Sequence, residues 1–233
     1  MAPPRLVVLT GAGVSAESGL GTFRDKGGLW TQFDLADVAT PDGFARNTDL
    51  VHQFYNARRA NAAAAVPNAA HVALARLSMA LGDDLLLVTQ NVDDLHERAG
   101  SRDVVHMHGT LTGAVCGVCA HRWTAPAVMT PRAPCPACGR PTTRPDIVWF
   151  GEIPFFMDRI AEALQACDIF VAIGTSGTVY PAAGFVAEAA AAGAETLELN
   201  LEPSAVVSDF DASRFGPASV IVPAWVDEVL QGR

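Results

Sequence analysis

The sequence predicts an α/β fold: a Rossmann-like, doubly wound parallel sheet with a smaller, discontinuous helical and zinc-binding domain. Three observations carry this expectation. Four short apolar runs, Leu6–Thr10, Leu85–Thr89, Ile169–Ile173 and Thr196–Leu201, alternate with alanine-rich stretches, as in parallel strands covered by helices on both faces. A glycine-rich turn, Gly11-Ala12-Gly13, follows the first run directly, the position of the phosphate-binding turn in nucleotide-binding sheets. Two Cys-x-x-Cys pairs, Cys116/Cys119 and Cys135/Cys138, then interrupt the alternation. Four thiolates form a closed tetrahedral set, so a zinc held there is structural and leaves no open position for catalysis.

The elements follow in order. Leu6–Thr10 reads as a buried strand feeding a tight turn, and Gly11-x-Gly13-x-x-Ala16 matches the dinucleotide fingerprint in its alanine form. An ordinary dehydrogenase would next show a second strand ending in an acidic residue. Here Ser18 to Asp25 is not strand-like. Residues 30–65 read as helix and loop without strand, His71–Leu81 as a helix, and Leu85–Thr89 as the next strand. The stretch from Thr112 to Arg144 is rich in Pro, Cys and Gly. Met157–Ala166 and Ala182–Ala192 read as helices around the Ile169–Ile173 strand, and Thr196–Leu201 closes the set. The expected division is a large lobe of residues 1–30, 76–111 and 145–233, and a small lobe of residues 31–75 and 112–144, with a ligand cleft between them.

Bulk properties narrow the function. The chain has 233 residues, 50% hydrophobic and only 18% charged, with a formal charge of −9. That balance suits a packed globular protein and argues against nucleic acid as a partner. No apolar run approaches the roughly 20 residues of a membrane span. Met1-Ala2-Pro3-Pro4 has no basic n-region, so no secretory signal is expected. Five cysteines, four in one metal-type spacing and Cys167 left over, fit a reducing compartment. A cytoplasmic monomer is expected.

Several residues could carry chemistry. Gln90, Asn91 and Asp93 stand at the end of a strand, where open α/β sheets bind ligands; a polar helix cap explains them equally well. His108 before Gly109 has the right chemistry for a general base near neutral pH, yet an isolated histidine is commonly structural. Gly174-Thr175-Ser176 and Asn200-Leu201-Glu202 end successive strands and suit either ribose and phosphate contacts or turn formation. Tyr55 and Arg58 share one helix face, where the arginine fork suits a carboxylate; by themselves they read first as solvated surface residues.

Taken together, these segments resemble the sirtuin family of NAD-dependent protein-lysine deacylases. The matching stretches are Gly11 through Gly19 to Phe23-Arg24, Thr89-Gln90-Asn91-Val92-Asp93, His108-Gly109, the four cysteines, Pro145-Asp146-Ile147-Val148-Trp149-Phe150-Gly151-Glu152, Gly174-Thr175-Ser176 and Asn200-Leu201-Glu202-Pro203. They occur in the family's order along nearly the whole chain. The resemblance implies that NAD is a co-substrate and one zinc ion is structural, held by Cys116, Cys119, Cys135 and Cys138. Gly11, Ala12, Gly13, Ser15, Ala16, Glu17, Thr22, Phe23, Arg24 and Trp30 would belong to a loop folding over NAD. Gln90, Asn91, Val92 and Asp93 would line the nicotinamide-ribose pocket. Gly174, Thr175, Ser176, Asn200, Leu201, Glu202 and Ala218 would surround the adenosine half. His108 would be the catalytic base, with Asn91 beside it.

Acylated lysine-containing proteins or peptides would be the partners, paired as an added strand along Val148, Phe150, Gly151 and Glu152. In that family's chemistry the acyl group passes to ADP-ribose as nicotinamide leaves. Tyr55-x-x-Arg58 is similar to the pair that marks class III members and reads the distal carboxylate of succinyl- or malonyl-lysine. Acetyl, succinyl and malonyl groups are all expected substrates. Gly21 stands where many members carry proline, which enlarges the freedom of that loop. Competing readings are mono-ADP-ribosyl transfer, a non-enzymatic zinc-ribbon binding module, and an NAD dehydrogenase.

Overall fold

The structure is a computed structural model that describes residues 4–21 and 33–232. Strand β1 (Leu6–Thr10) is buried at every position and runs into a single helical turn, α1 (Gly13–Ala16). Three helices follow, α2 (Leu35–Val38), α3 (Pro41–Arg46) and α4 (Thr48–Ala64). Each has a side-chain N-cap: Asp34, Thr40 and Asn47 accept from backbone N–H groups in the first turns. Helix α5 (Ala69–Leu81) begins at an Asn68 cap reinforced by His71, and leads to β2 (Leu85–Thr89). Then come α6 (Leu95–Arg98), β3 (Val105–His106), β4 (Gly109–Cys116), β5 (Arg122–Thr124) and β6 (Thr143–Ile147). The chain ends with α7 (Met157–Ala166), β7 (Ile169–Ile173), α8 (Phe185–Ala191), β8 (Glu195–Asn200), β9 (Ala212–Phe215) and α9 (Ala218–Gln231).

Six strands form one parallel sheet in the order β3-β2-β1-β7-β8-β9. Alternation along each strand divides the core in two. Leu6 and Val8 of β1 join Val171 and Ile173 of β7 beneath α5 and α9, with Leu74, Leu77, Val222 and Trp225. Val7 and Leu9 join Phe170 and Ala172 on the other face, beneath α7 and α8. Each fully buried aliphatic side chain contributes about 1.5–3 kcal/mol. The doubly wound sheet is therefore as expected.

A second, antiparallel sheet of order β5-β4-β6 carries the cysteines. Helices α2 to α4 pack through Val38, Val51, Phe54 and Tyr55 on Val92, Leu111, Ile147 and Trp149. Arg59 secures this packing, donating from Nε to the Leu111 carbonyl at 2.7 Å.

The structure departs from the sequence reading in several places. The boundary expected at residue 75 falls inside α5, whose Ala70, Ala73, Leu74 and Leu77 all pack on the large sheet. The Ala182–Ala192 helix is a 3-10 turn followed by α8. Strands β3 to β6 and β9 and helix α9 were not anticipated. Among the described residues, no helix is long and apolar enough to cross a membrane.

Candidate active site

Strands β1, β2, β7 and β8 all end at one edge of the large sheet, and their following turns meet there. Gly11 N donates to the Ile173 carbonyl and Gly13 N to the Gly174 carbonyl, both at 2.9 Å. A Cβ on Gly11 would stand 2.7 Å from the Gly174 oxygen, and one on Gly13 2.7 Å from Gly174 Cα. Gly174 itself has φ +62°, and its Cβ would meet Val14 N at 2.5 Å. These three glycines thus let two strand-end turns touch. With α1 only four residues long, the helix-dipole contribution expected from the fingerprint is small.

Beneath these turns lies a buried polar network. The Asn91 amide donates to the Gly11 carbonyl at 3.1 Å and to Ser15 Oγ at 3.2 Å. Ser15 Oγ donates to Asp93 Oδ2 at 3.3 Å, while Asp93 Oδ1 accepts from Leu95 N. Burial pushes the Asp93 carboxyl up, partly offset by those hydrogen bonds. His71 Nδ1 accepts from Asn68 N, so Nε2 carries the proton toward Ser15 Oγ at 3.3 Å. Its ring packs 5.0 Å from that of His96, which touches Thr10.

Burial lowers His71 to about 4, and His96 shifts the same way. The unfolded chain therefore takes up a proton near the ordinary histidine value, while the folded chain resists until about pH 4. Stability should fall as pH drops through that window, with a His71 share of up to about 3 kcal/mol. Urea unfolding at pH 7 and pH 5 should show a smaller acid loss in His71→Gln than in wild type. Equal losses would contradict the assignment.

His108 is half-buried on the segment joining β3 to β4. Its Nδ1 lies 3.1 Å from the Gln90 carbonyl, which can only accept. The proton therefore sits on Nδ1, and Nε2 keeps its lone pair without a partner among the described residues. Burial lowers its pKa, opposed by the Gln90 bond, so the ring is neutral near pH 7. Gly109 directly behind it has φ +79° and lies so close to β6 that a Cβ would stand 2.1 Å from the Asp146 carbonyl oxygen.

Helix α4 brings Tyr55 and Arg58 to one face, as expected. Tyr55 is 1% exposed, and its hydroxyl accepts from Trp149 Nε1 at 2.9 Å. The Arg58 guanidinium lies 5.8 Å from the ring centroids of both Phe54 and Tyr55. Burial lowers its pKa, while Tyr55 and Asp93 favour its charged form. Trp149 lies in the stretch that carries the family resemblance, but nothing local marked it as the partner of Tyr55. The neighbouring Val148, Phe150, Gly151 and Glu152 form a turn in place of a strand. Val148 N donates to His108 O, Phe150 N to Ala39 O and Glu152 N to Trp149 O. Of the residues 148–152, only Gly151 keeps an amide N–H without a partner among the described residues. The Glu152 carboxylate takes a bidentate pair from Arg144 at 2.7 and 2.8 Å.

At the opposite end, Asn200 Nδ2 donates to the Thr175 carbonyl at 2.7 Å, and Ser176 Oγ bonds Thr178 Oγ1 at 2.8 Å. Leu201 and Glu202 are exposed, and Ala218 opens α9. Glu17 has a structural use: its carboxylate accepts from Ser219 N at 2.9 Å and Ser219 Oγ at 2.5 Å, capping α9. Thr22, Phe23, Arg24 and Trp30 lie outside the described residues.

Cys116, Cys119, Cys135 and Cys138 converge, with all four sulfurs within 4.8 Å of one another. Cys116 and Cys138 are 3.6 Å apart and Cys119 and Cys135 3.7 Å, close to the ~3.8 Å edge of a tetrahedron with zinc–sulfur bonds of about 2.3 Å. Backbone N–H groups of Val118 and Ala137 point at Cys116 and Cys135 sulfur, which stabilises thiolates. The residues fit one structural zinc ion. His121 stacks on Trp123 and is outside this cluster.

Comparison with known proteins agrees with this geometry. The Sir2 family profile matches residues 11–181. An NAD-dependent protein deacylase of Caulobacter vibrioides is 61% identical over 97% of both chains. One of Escherichia coli K12 is 54% identical over 100% of this chain and 84% of its own. A solved Sir2 homologue in complex with NAD superposes with a TM-score of 0.89 at 38% identity, covering 97% of this chain and 90% of that one. By sequence and by fold, the chain belongs to the Sir2 family.

Proposed function

We propose that this protein is an NAD-dependent protein-lysine deacylase, transferring the acyl group to ADP-ribose. One observation carries the reading most directly: His108 is a neutral imidazole whose Nδ1 is committed to the Gln90 carbonyl, leaving Nε2 as a base at the ligand-binding edge of the sheet. The glycine turn, the Asn91 and Asp93 side chains and the strand-end groups of Thr175, Ser176 and Asn200 suit a dinucleotide laid across that edge. NAD supplies a ribose carbon bearing a nicotinamide leaving group. Asn91, Ser15 and Asp93, rigid through their mutual hydrogen bonds, would hold the nicotinamide end. Thr175, Ser176, Asn200 and the start of α9 at Ala218 would hold the adenosine end. His108 Nε2 would accept the proton of a ribose hydroxyl as that oxygen takes the acyl group. The substrate strand would pair with Gly151 N–H and the carbonyls flanking it.

Two lobes divided near the small sheet, a monomeric state and a cytoplasmic location complete the reading. For the acyl group, Tyr55 and Arg58 would receive a short acidic chain, because a charge-assisted bond to a half-buried arginine is worth about 1.5–3 kcal/mol. Succinyl and malonyl groups would use that bond, and acetyl would not need it. Arg58→Met should therefore lower succinyl-peptide kcat/KM by roughly tenfold to a hundredfold, with a smaller effect on acetyl peptide. Equal losses on both would show that the arginine does not read the acyl group.

The test is nicotinamide release from NAD with and without acetyl- and succinyl-lysine peptides. Release that requires the acylated peptide supports deacylation. Release that proceeds equally without it, or that labels protein with ADP-ribose, overturns the reading in favour of ADP-ribosyl transfer.

A further inference from the structure

His106 and His108, two residues apart, hold successive carbonyls of one turn. His108 Nδ1 lies 3.1 Å from the Gln90 oxygen, and His106 Nδ1 lies 3.1 Å from the Asn91 oxygen. Their other nitrogens differ. His108 Nε2 has no protein partner among the described residues, whereas His106 Nε2 lies 2.6 Å from Glu97 Oε1. A backbone carbonyl and an ionised carboxylate both accept and neither donates. A neutral imidazole could satisfy only one of them and would turn a lone pair on the other. The imidazolium donates to both.

His106 is 8% exposed, and burial opposes its charge. Glu97 outweighs that cost by hydrogen bond and charge, helped by the Asn91 carbonyl and by Asp93, and the pKa is raised. The groups facing it are Glu97 and a neutral His96 on α6 and Asp93 on the turn. Glu97 is itself partly exposed, so the pair is screened in part. Two histidines on one short segment are thus pushed in opposite directions by their surroundings.

We propose that His106 is a positioning residue, kept as an imidazolium by Glu97, which fixes the Asn91 carbonyl and through it the Gln90–Asp93 turn. The role rests on the deacylase reading for its activity readout and goes beyond it in assigning a charged pair outside the binding groups. A raised pKa means the contact is intact below it and lost as pH rises through it. The alkaline limb of activity would then belong to His106, and the acid limb to protonation of His108. In Glu97→Gln the anionic partner is gone, so His106 should lose its proton about one pH unit or more lower.

Two measurements test this. The first is the ring ¹⁵N spectrum of the wild-type protein near pH 7, with His106 assigned by its absence in His106→Gln. Both nitrogens should carry protons, and a singly protonated ring would overturn the proposal whatever the enzyme does. The second is the pH profile of kcat/KM for deacylation of an acetyl-lysine peptide by wild type and Glu97→Gln. The alkaline limb should move to lower pH by about one unit or more, with the acid limb unmoved. An unmoved alkaline limb would overturn the positioning role. If wild type releases no nicotinamide at all, the deacylase reading fails, and the ring spectrum still decides the protonation of His106.

Discussion

His108→Ala is expected to lower kcat/KM for an acetyl-lysine peptide by about 10²–10⁴, the range for loss of a positioned general base, with little change in NAD binding. The ring is half-buried and makes one hydrogen bond to the Gln90 carbonyl, so thermal unfolding should shift by no more than about 1 kcal/mol. The same geometry fixes the pH behaviour. Burial places the folded pKa of His108 below its ordinary value, so activity should fall as pH drops through that lowered value and persist at pH 6.5. A variant that keeps wild-type turnover while remaining folded would remove His108 from the chemistry. Peptide-dependent nicotinamide release, followed beside calorimetry, separates those outcomes.

Gly109→Ala should produce the second large effect, and mainly on structure. The added methyl would stand 2.1 Å from the Asp146 carbonyl oxygen and 2.9 Å from its carbon, at a residue with φ +79°. Both obstacles are backbone in the paired strand β6, where Gly109 opposes Ile147, so no side chain can swing aside. Overpacking and a left-handed backbone each cost roughly 1–3 kcal/mol, giving an expected loss of about 2–6 kcal/mol. Widening the pair would also drag His108, whose carbonyl accepts from Val148 N at 2.9 Å. Gly193→Ala is the control, because Gly193 has φ +94° with nothing within 4 Å of a built Cβ. It should carry only the backbone cost, about 1–3 kcal/mol. Equal losses in the two variants, measured by denaturant unfolding, would mean that close packing behind the histidine is unimportant.

Much of the large sheet was legible because its strands are continuous apolar runs bounded by turn residues. Leu6–Thr10, Leu85–Thr89 and Ile169–Ile173 have the expected limits. The four-cysteine cluster was legible because metal geometry imposes spacing on the chain itself. What escaped depends on contacts distant in sequence. Helix α9 contains Pro223 in its interior, a residue that argues against a helix until Trp225, Val222 and Val226 are seen packing on the sheet. That Ala70, Ala73 and Leu74 pack on the large sheet was hidden because nothing local in Ala69 to Ala75 says which core the helix joins. Glu17 reads as part of a nucleotide loop, yet its partner is Ser219, 202 residues away. The Tyr55–Trp149 bond spans 94 residues. His106 and Glu97 are only nine apart, but their pairing depends on how β3 lies beside the turn after β2.

In the proposed reaction His108 Nε2 serves acyl transfer to a ribose hydroxyl. The most direct test of that role is the mass of the nucleotide formed at early times from NAD and an acetyl-lysine peptide. The expected species is O-acetyl-ADP-ribose, formed in step with nicotinamide and deacetylated peptide and formed about 10²–10⁴-fold more slowly with His108→Ala. Unmodified ADP-ribose as the first product, with the peptide still acetylated, would contradict it.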